Sequence, residues 1–185
     1  AQTFVGSNNI NILKPNGQFG SRIMGGADSA SPRYIHTELS PIVNYLFPDA
    51  DIPILNYLED DGLSIEPTYY MPIIPMVLVN GMLGIGTGFS TNVPQFNPID
   101  IINNIVNKLN NKPYTDMIPW YRGFTGKIYA ADKNKFITYG VYNIIDNTTI
   151  EITELPIGTW TQNYKIFLDS LIYNKQSPNK SQCIV

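Results

Sequence analysis

Gly17-Gln18-Phe19-Gly20-Ser21-Arg22-Ile23-Met24-Gly25-Gly26-Ala27-Asp28-Ser29-Ala30-Ser31-Pro32-Arg33-Tyr34-Ile35-His36-Thr37 is the densest informative stretch of this 185-residue chain. Glycine and small polar residues surround a single Arg33-Tyr34 pair, so the segment reads as a loop with several positions needing φ > 0 or close backbone approach. A tyrosine hydroxyl titrates near pH 10 and is a poor nucleophile unaided. A neighbouring guanidinium can grip a phosphate with two parallel hydrogen bonds and favour the developing phenolate. From chemistry alone the pair is weak evidence, since Arg-Tyr pairs are common, and Tyr34 reads first as a half-buried strand residue.

The second unusual stretch is Asn80-Gly81-Met82-Leu83-Gly84-Ile85-Gly86-Thr87-Gly88-Phe89-Ser90. Such glycine density suggests a loop that something approaches closely. It fails the P-loop pattern, having no Lys-Ser/Thr after the last glycine, and it fails the dinucleotide fingerprint. Ile85, flanked by Gly84 and Gly86, is either a core plug or an exposed wedge of the kind that enters base steps and kinks DNA.

Around these stretches the chain reads as α+β. A helix is expected from about Thr37, with Leu39, Ile42, Val43, Leu46 and Phe47 at helical spacing and Pro48 ending it. Asp60-Asp61-Gly62 marks a hairpin turn. Pro72 and Pro75 are expected to keep Ile73–Val79 extended, residues 80–97 to form a loop, and residues 98–110 a helix with Pro98 in its first turn. Residues 122–155 read as a small antiparallel sheet of β-branched and aromatic runs. A helix through Tyr164, Phe167, Leu168 and Leu171 follows, and the polar tail after Gln176 is expected to be mobile.

Composition bounds the function. Hydrophobic residues make up 43% and charged residues 15%, enough apolar material for a core. The single Cys183 excludes an intrachain disulfide framework and the single His36 a histidine cage. No apolar run is long enough to span a bilayer, so no membrane partner is expected. Net charge is −3, which by itself argues against nucleic acid. The sign comes from residues 49–66, which hold six acids and no base, whereas the flanking segments are mildly basic. That acidic stretch reads as a solvated surface loop. The opening at Ala1-Gln2-Thr3 and the close at Cys183-Ile184-Val185 read as the interior of a longer polypeptide.

Taken together, these stretches resemble the eukaryotic-type DNA topoisomerase II (type IIA) family. Ala1–Asn11 resembles its AQ-x-FVGSNN-x-N segment. Gly17–Thr37 resembles the block that holds the active-site tyrosine. Tyr70–Gly88 resembles Y-x-PIIPMVL-x-NG-x-x-GIGTG, and Thr148–Lys165 resembles TTIEI[ST]ELP…TWTQ-x-YK.

The resemblance implies that residues 1–48 end a winged-helix DNA-gate domain and that residues 49–185 begin a tower domain. It implies an ATP-dependent isomerase that cuts both strands of one duplex through 5′-phosphotyrosine links and passes another duplex through the break. Tyr34 corresponds to the nucleophile, Arg33 to the arginine that neutralises the phosphate, and Ile85 to the intercalating isoleucine. Arg22, Gly84 and Gly86 are the further expected DNA contacts. The implied partners are double-stranded DNA and a second copy, since each strand needs one tyrosine. Mg²⁺ and ATP are expected to bind parts of the enzyme outside this chain, leaving the chain alone inactive. The location implied is nuclear for a cellular eukaryote and unassigned for a virus.

The chain departs from the family pattern at Ala27 and Gly158, where basic residues are common, and at His36, which usually reads Phe. His36 is either a proton shuttle or a packed or surface variant. A rival reading is a non-catalytic DNA-bending or DNA-binding module derived from the same family.

Overall fold

The computed structural model describes residues 1–133 and 135–173; the polar tail and Cys183 lie outside the described residues. The architecture is α+β, with four helices and five antiparallel two-stranded ribbons among the described residues.

β1 (Leu13–Asn16) pairs with β2 (His36–Leu39), in the register Leu13↔Leu39 to Asn16↔His36. The helix expected from Thr37 therefore begins later: α1 spans only Val43–Leu46. The spacing of Leu39, Ile42, Val43 and Leu46 is helical, but a ladder partner more than twenty residues upstream captures Thr37–Leu39 first.

β3 (Tyr57–Asp60) and β4 (Leu63–Pro67) form the hairpin that Asp60-Asp61-Gly62 announces. Asp61 (φ 48°) and Gly62 (φ 77°) give the two left-handed residues of a type I′ turn.

Two expectations fail in the next segment. Met76–Asn80 is a helix, α2, and not extended. Proline restrains the residue before it and its own φ, which suits a helix start, and Pro75 sits at the N-cap. Residues 80–97 are not a plain loop either. β5 (Met82–Gly86) and β6 (Phe89–Val93) make a hairpin closed by Thr87-Gly88. Glycine is depleted in strands, so its density hid an otherwise regular ladder.

α3 (Pro98–Leu109) forms where expected, with the Asn97 side chain accepting from the Ile99 N–H at 3.0 Å. The region expected to be one sheet is two separate ribbons, β7 (Lys127–Asp132) with β8 (Lys135–Tyr139), and β9 (Val141–Ile144) with β10 (Ile150–Glu154). α4 (Thr161–Tyr173) closes the described chain.

The buried core is Leu46, Ile74, Val79 and Ile101, flanked by Ile10, Ile12, Phe47, Met76, Leu78, Phe96, Ile105 and Met117. It joins the N-terminal segment to α1, α2 and α3. Asn9, 3% exposed, is the polar hub beside it. Its amide donates to the carbonyls of Val79, Phe96 and Trp120 at 2.9–3.3 Å, and its oxygen accepts from the Arg122 N–H at 2.8 Å.

Much apolar surface is left uncovered among the described residues, including Tyr142, Ile144, Ile150 and Ile152, which the β9–β10 register sets on one face.

Candidate nucleic-acid interface

Tyr34 ends a single turn of 3₁₀ helix, Pro32–Tyr34. Pro32 fixes φ at the start of the turn, and the Tyr34 N–H donates to the Ser31 carbonyl at 2.9 Å. Ile35 then returns to extended backbone and leads into β2. The turn lifts the ring off the body of the chain, leaving Tyr34 71% exposed, which discards the half-buried strand alternative. The Arg33 guanidinium carbon lies 6.0 Å from the Tyr34 ring centroid, at the edge of cation–π reach. Among the described residues Arg33 enters no ion pair, so an exposed cation and an exposed phenol stand side by side. His36 is exposed on β2, opposite Asn16.

The loop before the turn is tightly held. The Asp28 carboxylate accepts from the Ser21 N–H at 2.8 Å and the Ser21 hydroxyl at 2.5 Å. Those bonds, the hydroxyl's first, hold its pKa below the ordinary carboxylate range. Their support for the loop is present above that range and is lost as pH falls through the lowered value. Gly25 lies flat against the Trp160 ring, with no room for a Cβ. The Gln162 N–H, in the first turn of α4, donates to the Ile23 carbonyl at 2.9 Å.

Arg22 is turned inward. One arm of its guanidinium pairs with the buried Glu154 and the other donates to the Leu155 carbonyl at 2.6 Å. The structure therefore does not bring Arg22 together with Arg33 and Tyr34 as a free cation. Glu154 and Thr125, which complete this cluster, are residues that sequence reasoning missed; the ELP stretch at Glu154-Leu155-Pro156 was the available signal.

Ile85 stands near the tip of the β5–β6 hairpin and is 91% exposed, which excludes the core-plug alternative within this chain. The register sets Leu83 and Ile85 on one face and Gly84, Gly86 and Phe89 on the other. Leu83 and Phe89 are also largely exposed, a feature the sequence reading did not single out. Neither Gly84 nor Gly86 has a left-handed φ. A Cβ at Gly84 would meet nothing within 4 Å, and one at Gly86 only the Phe89 carbonyl oxygen at 3.9 Å. The chain's own fold therefore does not require glycine at either position.

Ala27 is exposed, and Gly158 has φ 80° with open space around it, a backbone that glycine suits. Among the described residues no three His, Cys, Asp or Glu side chains gather as a metal site, and no helix is long and apolar enough to cross a membrane.

Known proteins resemble this chain in sequence and in fold. The chain is 56% identical over 182 residues to the DNA topoisomerase 2 of Arabidopsis thaliana, covering 96% of this chain and 12% of that protein. It is 55% identical over 173 residues to the mitochondrial DNA topoisomerase 2 of Dictyostelium discoideum, covering 93% and 13%. The chain thus spans about an eighth of the length of these relatives. The structure superposes with a TM-score of 0.89 on the Plasmodium falciparum topoisomerase II DNA-binding, cleavage and re-ligation domain, at 52% identity over 96% of this chain and 24% of that one. The family model for the A subunit of DNA gyrase/topoisomerase IV matches residues 1–183, and the chain belongs to that family.

Proposed function

We propose that this chain is the tyrosine-bearing part of a type II DNA topoisomerase that makes and reseals a double-strand break. The observation that carries the reading is the exposed Arg33-Tyr34 pair on its 3₁₀ turn, in a chain about half identical to DNA topoisomerases 2.

The Tyr34 phenol oxygen attacks a backbone phosphorus and forms a new phosphodiester. The bond to the 3′-oxygen breaks, and the phenol proton finishes on that oxygen. The products are a 5′-phosphotyrosine and a free 3′-hydroxyl. One phosphodiester replaces another, so the step is near thermoneutral and reverses to reseal the strand. Arg33 supplies positive charge where the transition state gathers negative charge on the phosphoryl oxygens.

Ile85 acts as the wedge that bends the duplex, and Gly84 and Gly86 let DNA approach the hairpin backbone. Residues 1–48 belong to the DNA gate and residues 49–185 to the tower, the two sharing the core around Val79. The partners are double-stranded DNA and a second copy of the enzyme. Mg²⁺ and ATP are assigned to parts of the enzyme outside this chain on the family likeness alone.

The test is covalent trapping. Full-length enzyme quenched with detergent during DNA cleavage should yield a peptide carrying a 5′-linked phosphate on Tyr34. DNA bending without any such adduct would favour the non-catalytic bending module.

Two substitutions probe the supporting residues. Arg33→Lys keeps the charge but loses the planar fork. Cleavage should fall well below wild type while DNA affinity changes less; equal losses would reduce Arg33 to a backbone-positioning contact. Gly84→Ala should leave the free protein as stable or more so, by up to about 1 kcal/mol in melting experiments. DNA bending should nonetheless weaken, because the added methyl meets only the bound duplex. Unchanged bending would remove the close approach from the mechanism.

A further inference from the structure

Tyr34 makes no side-chain hydrogen bond among the described residues, so its backbone must fix its position. After the tyrosine, the β1–β2 ladder holds the chain from Asn16↔His36 onward. Before it, the segment from Gly17 to Ser31 must be held just as firmly. Part of that hold is internal. The Ala30 N–H donates to the Gln18 carbonyl at 2.9 Å, and Asp28 binds Ser21. A Cβ on Gly17 would come within 2.7 Å of Ile35, so the start of the loop lies against the exit from the tyrosine turn.

The far end of this loop is fixed by Arg22, through a pair formed across 132 residues of sequence. Glu154 is 7% exposed, and both of its carboxylate oxygens are engaged. One faces Arg22; the other accepts from the Thr125 hydroxyl at 2.9 Å and the Thr125 N–H at 3.3 Å. The register of β10 shifts between Ile152 and Glu154, a bulge that re-aims the last side chain of an otherwise exposed strand. Lys14–Glu38 is the other ion pair among the described residues, and it is solvent-exposed. A charge pair whose carboxylate is buried, with both oxygens engaged, is costly to assemble and strongly directional. That is unusual provision for a surface loop whose distinctive feature is the tyrosine it leads to.

We propose that Glu154 is a positioning residue for Tyr34, acting through Arg22. The inference rests on the nucleophilic role of Tyr34 proposed above. The β9–β10 ribbon and the start of α4 thereby set where the phenol meets the phosphate, and Arg22 serves geometry and not phosphate binding.

The experiment is single-turnover cleavage by the full-length enzyme at saturating duplex, with duplex affinity measured across a salt series. Glu154→Gln should lower the cleavage rate constant roughly 10- to 100-fold, the scale of a displacement of about 1 Å. The fraction of enzyme competent to cleave, the duplex affinity and its salt slope should stay at wild-type values, with the adduct still on Tyr34. Arg22→Lys, which keeps the charge but loses the fork, should do the same, and so should Thr125→Ala to a smaller extent. Should Glu154→Gln fail to fold, these two variants carry the measurement.

Three results overturn the inference. One is a wild-type rate constant in the Glu154 variant. Another is a smaller competent fraction at an unchanged rate constant, which would make the pair a folding contact only. The third is Arg22→Gln weakening affinity with a salt slope reduced by about 0.9, the signature of a lost phosphate contact. Each leaves the nucleophile assignment intact if the adduct maps to Tyr34. Absence of any Tyr34 adduct in the wild type defeats that assignment instead.

Discussion

Tyr34→Phe in the full-length enzyme is expected to reduce covalent DNA cleavage to background while leaving duplex binding near wild type. The substitution removes one oxygen and keeps the ring. That oxygen has no hydrogen-bond partner among the described residues, and the ring is 71% exposed, so the folded chain loses almost nothing. Stability should change by no more than about 0.5 kcal/mol, the usual range for a surface substitution. Affinity should persist because duplex binding is dominated by phosphate contacts that this change does not touch. The chemistry has no such reserve. Without a phenol there is no nucleophilic atom on this turn to accept the phosphorus, and the neighbouring Arg33, in its proposed role, only stabilises charge. The measurement is detergent-trapped protein–DNA adduct against free duplex binding in the same preparation. Adducts persisting at wild-type levels would mean that another residue is the nucleophile, and the Arg33-Tyr34 turn would lose its role.

The local signals in the sequence were reliable where structure is decided locally. Asn97-Pro98 starts a helix because a side-chain cap and a fixed φ act within one turn. Asp61-Gly62 closes a hairpin because two left-handed residues suffice. The β1–β2 ladder was not legible, since its partners lie on either side of a nineteen-residue loop, 17–35, and neither strand alternates cleanly. The β5–β6 hairpin was hidden because Gly84 and Gly86 stand inside its first strand, where the chain's own fold does not require glycine. Their proposed use is external, toward DNA, and secondary-structure propensities describe only internal preferences.

The candidate site divides along the same line. The roles of Tyr34, Arg33 and Ile85 came from resemblance, and the exposure of the three side chains is what geometry adds. Arg22 shows the limit. A lone arginine in a glycine-rich loop reads as a phosphate ligand until its partner is visible 132 residues away. Nothing at the level of composition distinguishes a cation kept for DNA from one already engaged by a buried carboxylate.

Ile85→Ala is expected to separate stability from function. A buried isoleucine such as Ile101, 2% exposed, would cost about 2–5 kcal/mol on truncation to alanine, because transfer energy and an unfilled cavity add. Ile85 is 91% exposed, so its truncation leaves no cavity in the free protein and the melting temperature should hardly move. In the proposed wedge role, the duplex supplies the burial that the chain withholds. A side chain inserted between base steps must offset both unstacking and a bend that costs about 1–6 kcal/mol. Alanine is too short to keep two base pairs apart, so the bent state loses its support. End-to-end fluorescence transfer on a labelled duplex should report a straighter DNA. Cleavage should fall with it, since a straight duplex presents its phosphate to Tyr34 in the wrong place. The two exposed side chains are then coupled through the DNA and not through the protein, so their effects should be non-additive in cleavage and independent in melting. A large drop in melting temperature with normal bending would instead show Ile85 to be packed in the intact enzyme and end its role as a wedge.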